Sequence, residues 1–178
     1  RSSTLVEGGN HIAVALDALA IRFPDGTGRI IMGDGILEAY AEFGLADVAP
    51  SAIYGHEYAH HVQYQKGYIA APFPTQPENA RYVELMADAM SAYFLTHSRG
   101  MAMNRHRVAE FLELFFQLGA CNFSSNDHHG TPNQRMRAAS LGFDLANETH
   151  KQGRILTALQ SYERFVGAYA NIVAPDTP

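Results

Sequence analysis

At 178 residues, with 47% hydrophobic and 17% charged residues, the chain has the length and composition of one globular domain rather than of a disordered segment. Its net charge of -5 offers no basic field for nucleic acid, and no Lys/Arg cluster marks a phosphate-binding surface. The one cysteine, Cys121, excludes an internal disulfide framework and a Cys-rich zinc ribbon, and no apolar run reaches the roughly 18 residues of a membrane span.

The chain begins at Arg1 rather than at Met, so a secreted or cell-envelope location, with an upstream targeting segment outside this sequence, stays open. Residues 1–10 are polar and Gly-rich and read as a flexible arm. From His11 to Arg22 the apolar residues mix helical and strand-like spacing, and the stretch has no single assignment. The Pro24-Asp25-Gly26 turn then leads to a short strand from Arg29 to Met32, and Gly33-Asp34-Gly35 breaks it before a short helix from Ile36 to Phe43. Ser51 is placed to cap a helix that Gly67 ends near Lys66. The prolines at 72, 74 and 77 make a loop of the next stretch, expected to pass near the cleft, and Pro77 suits the first turn of a helix running to about His97. On that helix Val83, Met86, Ala87, Met90 and Phe94 recur at helical spacing and read as core.

A further helix over Asn104 to Leu118 carries Val108, Phe111, Leu112, Phe115 and Phe116 on one apolar face. Residues 119–130 read as a polar loop that carries function as well as connection. Thr131-Pro132 opens a helix to about Leu145, and the last helix runs from about Asn147 to Tyr169, with Ile155, Leu159, Tyr162, Phe165, Val166 and Tyr169 available for burial. Residues 171–178 read as a flexible tail.

Chemistry concentrates in Ser51 to Gln63, SAIYGHEYAHHVQ, which holds the H-E-x-x-H sequence His56-Glu57-Tyr58-Ala59-His60. On a helix the two histidines, four apart, face one way and can close on one zinc ion, while Glu57 stands beside it as a base for water. A catalytic zinc needs a third ligand, and Glu84 on the next helix supplies a carboxylate. Asp88, four residues on, shares its face and can accept the other ring N–H of a metal-bound histidine. Gln63 shares the face of His56 and His60, whereas His61 points away and reads as structural.

HEYAHHVQ followed by ELMADA resembles the gluzincin arrangement of thermolysin-like peptidases, and is most similar to the bacterial neutral zinc metallopeptidase family. Its further H-G-[ST] and Q-R segment is matched by His129-Gly130-Thr131 and Gln134-Arg135. The resemblance runs from about Gly28 to Phe143 and implies His56, His60 and Glu84 as zinc ligands, Glu57 as general base and Asp88 as support for a ligand. Ala89 departs from the pattern, where many members have a cysteine, and touches none of these roles.

An oxyanion needs a hydrogen-bond donor, and His129 is the first candidate, with His128 and Tyr68 as alternatives. Arg135 is expected to pair with a carboxylate and tie the last helices to the core, and His11, His97, His106 and His150 read as ordinary surface or core histidines. The expectation is therefore one α+β, mainly helical zincin-like domain over residues 1–178, with a small N-terminal β element. Its function would be zinc-dependent hydrolysis of a peptide or protein substrate extended along Arg29 to Met32. The alternative is a zinc-stabilised, catalytically inactive gluzincin-like binding module; an apolar helical partner-binding domain without metal is the weaker third reading.

Overall fold

The computed structural model describes residues 17–69, 76–118 and 129–175. A two-stranded antiparallel hairpin, β1 (Ala18–Arg22) and β2 (Gly28–Met32), precedes six helices: α1 (Asp34–Glu42), α2 (Ala49–Lys66), α3 (Pro77–Thr96), α4 (Arg105–Leu118), α5 (Pro132–Lys151) and α6 (Ala158–Ile172). The architecture is mainly helical α+β, as the sequence predicts, and β1 occupies the end of the stretch left unassigned. Among the described residues no helix is long and apolar enough to cross a membrane.

The hairpin turns where the Pro-Asp-Gly chemistry places it: the Asp25 carboxylate accepts the Thr27 N–H and hydroxyl. Ala18 pairs with Met32 and Arg22 with Gly28, while in the flanking pairs the Gly33 N–H donates to Asp17 O and the Phe23 N–H to Thr27 O. The alternation of an antiparallel ladder then turns the amide groups of residues 18, 20 and 22 away from β2. This outward edge matters for the site.

α2 begins at Ala49, two residues before the expected Ser51 cap. Leu45 O already accepts from Val48 and Ala49 N–H, both residues are fully buried, and Pro50 falls in the first turn, where its missing N–H costs nothing. α5 does not stop near Leu145 but continues to Lys151. No Gly or Pro interrupts 143–151, Thr149 is buried with its hydroxyl on Leu145 O, and the chain turns only at Gln152-Gly153. α6 consequently begins at Ala158, where Thr157 and Gln160 form a capping box, and Thr131 and Gln134 form another at α5.

Two apolar clusters carry the packing. One gathers Tyr40, Val48, Ile53, Leu95, Val108, Phe111, Phe116 and Phe143; the other gathers Leu85, Met86, Ala138, Phe165 and Ile172. Ile155, Leu159 and Val166, expected inside, are exposed. Phe165 and Ile172 define the buried stripe of α6, and Leu159 and Val166, also seven apart, lie one face round. Phe94 is likewise exposed on the outer side of α3.

The supposed tail is anchored as far as Ala174. Ile172 is buried, and the Arg137 guanidinium donates to Ile172 O and Ala174 O at 2.8 Å each. The expected arm, the 70–75 loop, Cys121 and most of the 119–130 loop lie outside the described residues.

α3 is the central helix, in close backbone approach to its neighbours. A Cβ at Gly142 of α5 would come within 2.3 Å of Ala89 O, and one at Gly55 of α2 within 3.0 Å of Ser91 Oγ. Such intimacy brings polar side chains of three helices within hydrogen-bond reach of one another.

Candidate metal centre

The inner face of α2 is polar where an ordinary amphipathic helix is apolar: His56, Glu57, His60 and Gln63 are all buried. Glu84 and Asp88 meet them from α3, also buried. His56 Nε2 lies 3.1 Å from His60 Nε2 and 3.2 Å from Glu84 Oε2, and His60 Nε2 lies 3.3 Å from Glu84 Oε1. Two imidazoles and a carboxylate thus close a triangle. A tetrahedral zinc with Zn–N bonds of about 2.0–2.1 Å separates its ligands by about 3.3–3.4 Å, so these spacings fit a divalent cation. Among the described residues these three alone bring potential metal-ligand atoms together.

Hydrogen bonds behind the triangle assign the protons. His56 Nδ1 stands 3.0 Å from Asp88 Oδ1, an obligate acceptor when ionised, so Nδ1 carries the proton. His60 Nδ1 stands 2.9 Å from Gln63 Oε1, and the Gln63 amide nitrogen donates to Val83 O at 2.9 Å, which fixes which end of the amide faces the histidine. In its neutral form each ring therefore turns its Nε2 lone pair toward Glu84. Three acceptors at this range repel one another unless a cation or protons lie between them.

Asp88 is held in turn by Arg135, whose Nε and Nη2 donate to its two oxygens at 2.8 Å each. The guanidinium rests on Phe116, 4.3 Å from the ring centre. This is the tie between α5 and the core expected of Arg135. Gly130 makes it possible: at φ 100, with Leu85 pressed against it, this position turns the chain from His129 at the cleft into the Thr131 cap of α5.

Electrostatics follow from the same contacts. Burial alone would raise the Glu84 carboxyl, but His60, His56 and His129 outweigh it and hold it well below the usual range. Burial would lower His56, yet Asp88 and Glu84 carry it up to about 10 in the metal-free chain, and Glu84 raises His60 against the same opposition. Glu57 is pushed above the ordinary carboxylate range by burial, with His56 and His60 opposing. Asp88 is lowered because Arg135 overcomes its burial.

A cleft of about 490 Å³ opens on the triangle, lined by Asp17, Ala18, Leu19, Ala20, Glu57, Tyr64, Phe115 and His129 besides the three ligand candidates. Glu57 thus faces the cleft without joining the triangle. His129 is about half exposed, its Nδ1 3.4 Å from Glu84 Oε2. The bordering strand is β1, not the expected Arg29 to Met32, because β2 lies on the far side of the hairpin, where Gly28 to Ile31 line a separate groove with Tyr54, Tyr58 and His61.

Tyr68, an alternative donor, is instead stacked on Tyr162, with ring centres 4.3 Å apart. His128 lies outside the described residues, as does His11. His97 bonds Arg154 O and the Arg99 N–H, and His150 bonds Ser98; both serve local structure. Sequence reasoning missed Asp17 and Tyr64. Tyr64 had a signal, four residues after His60 and so on its face; Asp17 had none, since only the hairpin register carries it to the cleft.

Compared with protein-family models the chain matches none, and neither a curated protein nor a solved structure shows a significant match.

Proposed function

We propose that this chain is a zinc-dependent metalloendopeptidase, with His56, His60 and Glu84 as metal ligands and Glu57 as general base. The observation that carries the reading is the division of labour among buried carboxylates. Glu84 belongs to the triangle of acceptors, Asp88 orients a histidine, and Glu57 does neither while facing the same cleft. A purely structural site needs no such third carboxylate.

Zinc, when bound, supplies Lewis acidity that polarises a scissile carbonyl and brings the ionisation of water near neutral pH. Two imidazoles and one carboxylate are a donor set suited to it. Glu57, its basicity increased by burial, takes the proton of the attacking water and passes it to the leaving amine. His129, which lines the cleft, donates to the developing oxyanion. Phe115 gives the cleft an apolar wall, and the outward carbonyl of Ala18 and the outward amide groups of Ala20 offer an extended peptide main-chain hydrogen bonds.

The test is zinc analysis together with cleavage of a denatured peptide library. Stoichiometric zinc and chelator-sensitive cleavage are expected, and Glu57→Gln should retain the metal while losing roughly 10²–10⁴-fold in rate. Cleavage that survives chelation, or a fully active Glu57→Gln protein, refutes the mechanism. A chain that holds zinc, unfolds on its removal and cuts nothing would be the inactive, zinc-stabilised module instead.

A further inference from the structure

One carboxylate of the cleft has no task in that mechanism. Asp17 stands at the start of β1 and lines the cleft with Glu57, Glu84 and His129. Its Oδ1 accepts the Ala18 N–H at 2.8 Å, which closes the first outward amide of the strand and fixes the carboxylate at the end of the edge along which a peptide would lie. The second oxygen, Oδ2, is left over, and no ion pair with any described residue reaches it.

Charge around the centre makes this carboxylate informative. Asp88 is neutralised by Arg135 beneath it. A divalent cation would be balanced by Glu84 and Glu57, and the His129 ring stands against Glu84 rather than in an ion pair with Asp17. Among the described residues Asp17 forms no ion pair, His129 acting on it only through space, and it lines the same cleft. The apolar side chains of Leu19 and Phe115 in the cleft lining strengthen its pull on a cation relative to open water.

We propose that Asp17 is a specificity-determining residue that selects substrates bringing a cation to the β1 end of the cleft, either a Lys or Arg side chain or a free amino terminus. The inference rests on the peptidase reading and names its substrate class. A charge-assisted hydrogen bond of this kind discriminates a cation from its neutral isostere by roughly tenfold.

The experiment is calorimetric binding of short peptides to the zinc-loaded full chain carrying Glu57→Gln, which prevents turnover, with and without Asp17→Asn. Three matched peptides separate the sources: one blocked at both ends with a single Arg, the same peptide with citrulline for Arg, and one with no basic side chain and a free amino terminus. The Arg or the free-amine peptide should bind about tenfold tighter than the citrulline peptide, and Asp17→Asn should reduce that preference to less than twofold while zinc stoichiometry is kept. Equal binding of all three peptides, or a preference that persists in Asp17→Asn, overturns the proposal. In both cases the peptidase reading stands. If no peptide binds the zinc-loaded chain and the wild type cleaves none, both fall together.

Discussion

Gln63 offers the sharpest test of how the centre is held together. It is fully buried, accepts from His60 Nδ1 and donates to Val83 O, both at 2.9 Å. Gln63→Met keeps the length of the side chain and removes both interactions. Val83 O retains its bond within α3, so the main loss is the buried N–H of His60, worth about 1–3 kcal/mol. His60 has an escape: moving its proton to Nε2 lets it donate to Glu84 Oε1, 3.3 Å away. That proton then occupies the space a cation needs, and metal affinity should fall about 10–100-fold, the usual loss when the partner of a ligating histidine is removed. Competition with a chromogenic chelator measures the affinity, urea unfolding of the chelated protein measures the stability, and ¹⁵N shifts of the His60 ring report the tautomer. A Gln63→Met protein that binds zinc within twofold of wild type would refute the orienting role.

Asp88→Ala should be more damaging, since it strands the buried Arg135 guanidinium; a loss of about 3–5 kcal/mol is expected in urea unfolding. Gly142→Ala should cost about 1–3 kcal/mol through overpacking against the backbone of Ala89, and zinc affinity should fall with it because α5 carries Arg135. Zinc binding at pH 7 should release roughly one or two protons, read as the dependence of calorimetric heat on buffer ionisation, because His56 and His60 are both raised in the metal-free chain. The same raised values predict how the chelated protein responds to pH. Their stabilisation is complete below the unfolded histidine value of about 6.5 and disappears as pH rises through about 10 for His56, so the chelated protein should weaken from neutral to alkaline pH.

Much of the centre was legible because helices convert spacing into direction. Residues 56, 60 and 63 share one face of α2, and 84 and 88 one face of α3, wherever those helices go. Spacing does not carry the contact between the two faces, which is realised where Gly55 lets α2 approach Ser91 and Leu95 of α3. The strand that borders the metal candidates is β1, whose pattern is ambiguous by itself, whereas the zincin resemblance points to its clearer partner, Arg29–Met32. α6 shows the same limit: its apolar residues form two stripes seven apart, and only packing decides that Phe165 and Ile172 go inward. The boundary placed after Leu145 failed because polar residues such as Asn147 do not end a helix by themselves.

The Asp88–Arg135 pair joins residues 47 positions apart. Translation at roughly 5–20 residues per second delivers His56, His60, Glu84 and Asp88 several seconds before α5 leaves the ribosome. In that interval Asp88 lacks its guanidinium and His56 lacks a fixed acceptor, so the nascent chain offers ligands without the geometry that makes them a centre. Gln134, Arg135 and Arg137 then arrive on one stretch of α5 that also holds the C-terminal end of α6, at Ile172 to Ala174. The buried Asp88–Arg135 pair therefore waits for α5 and α6, both of which follow the helices that carry His56, His60, Glu84 and Asp88.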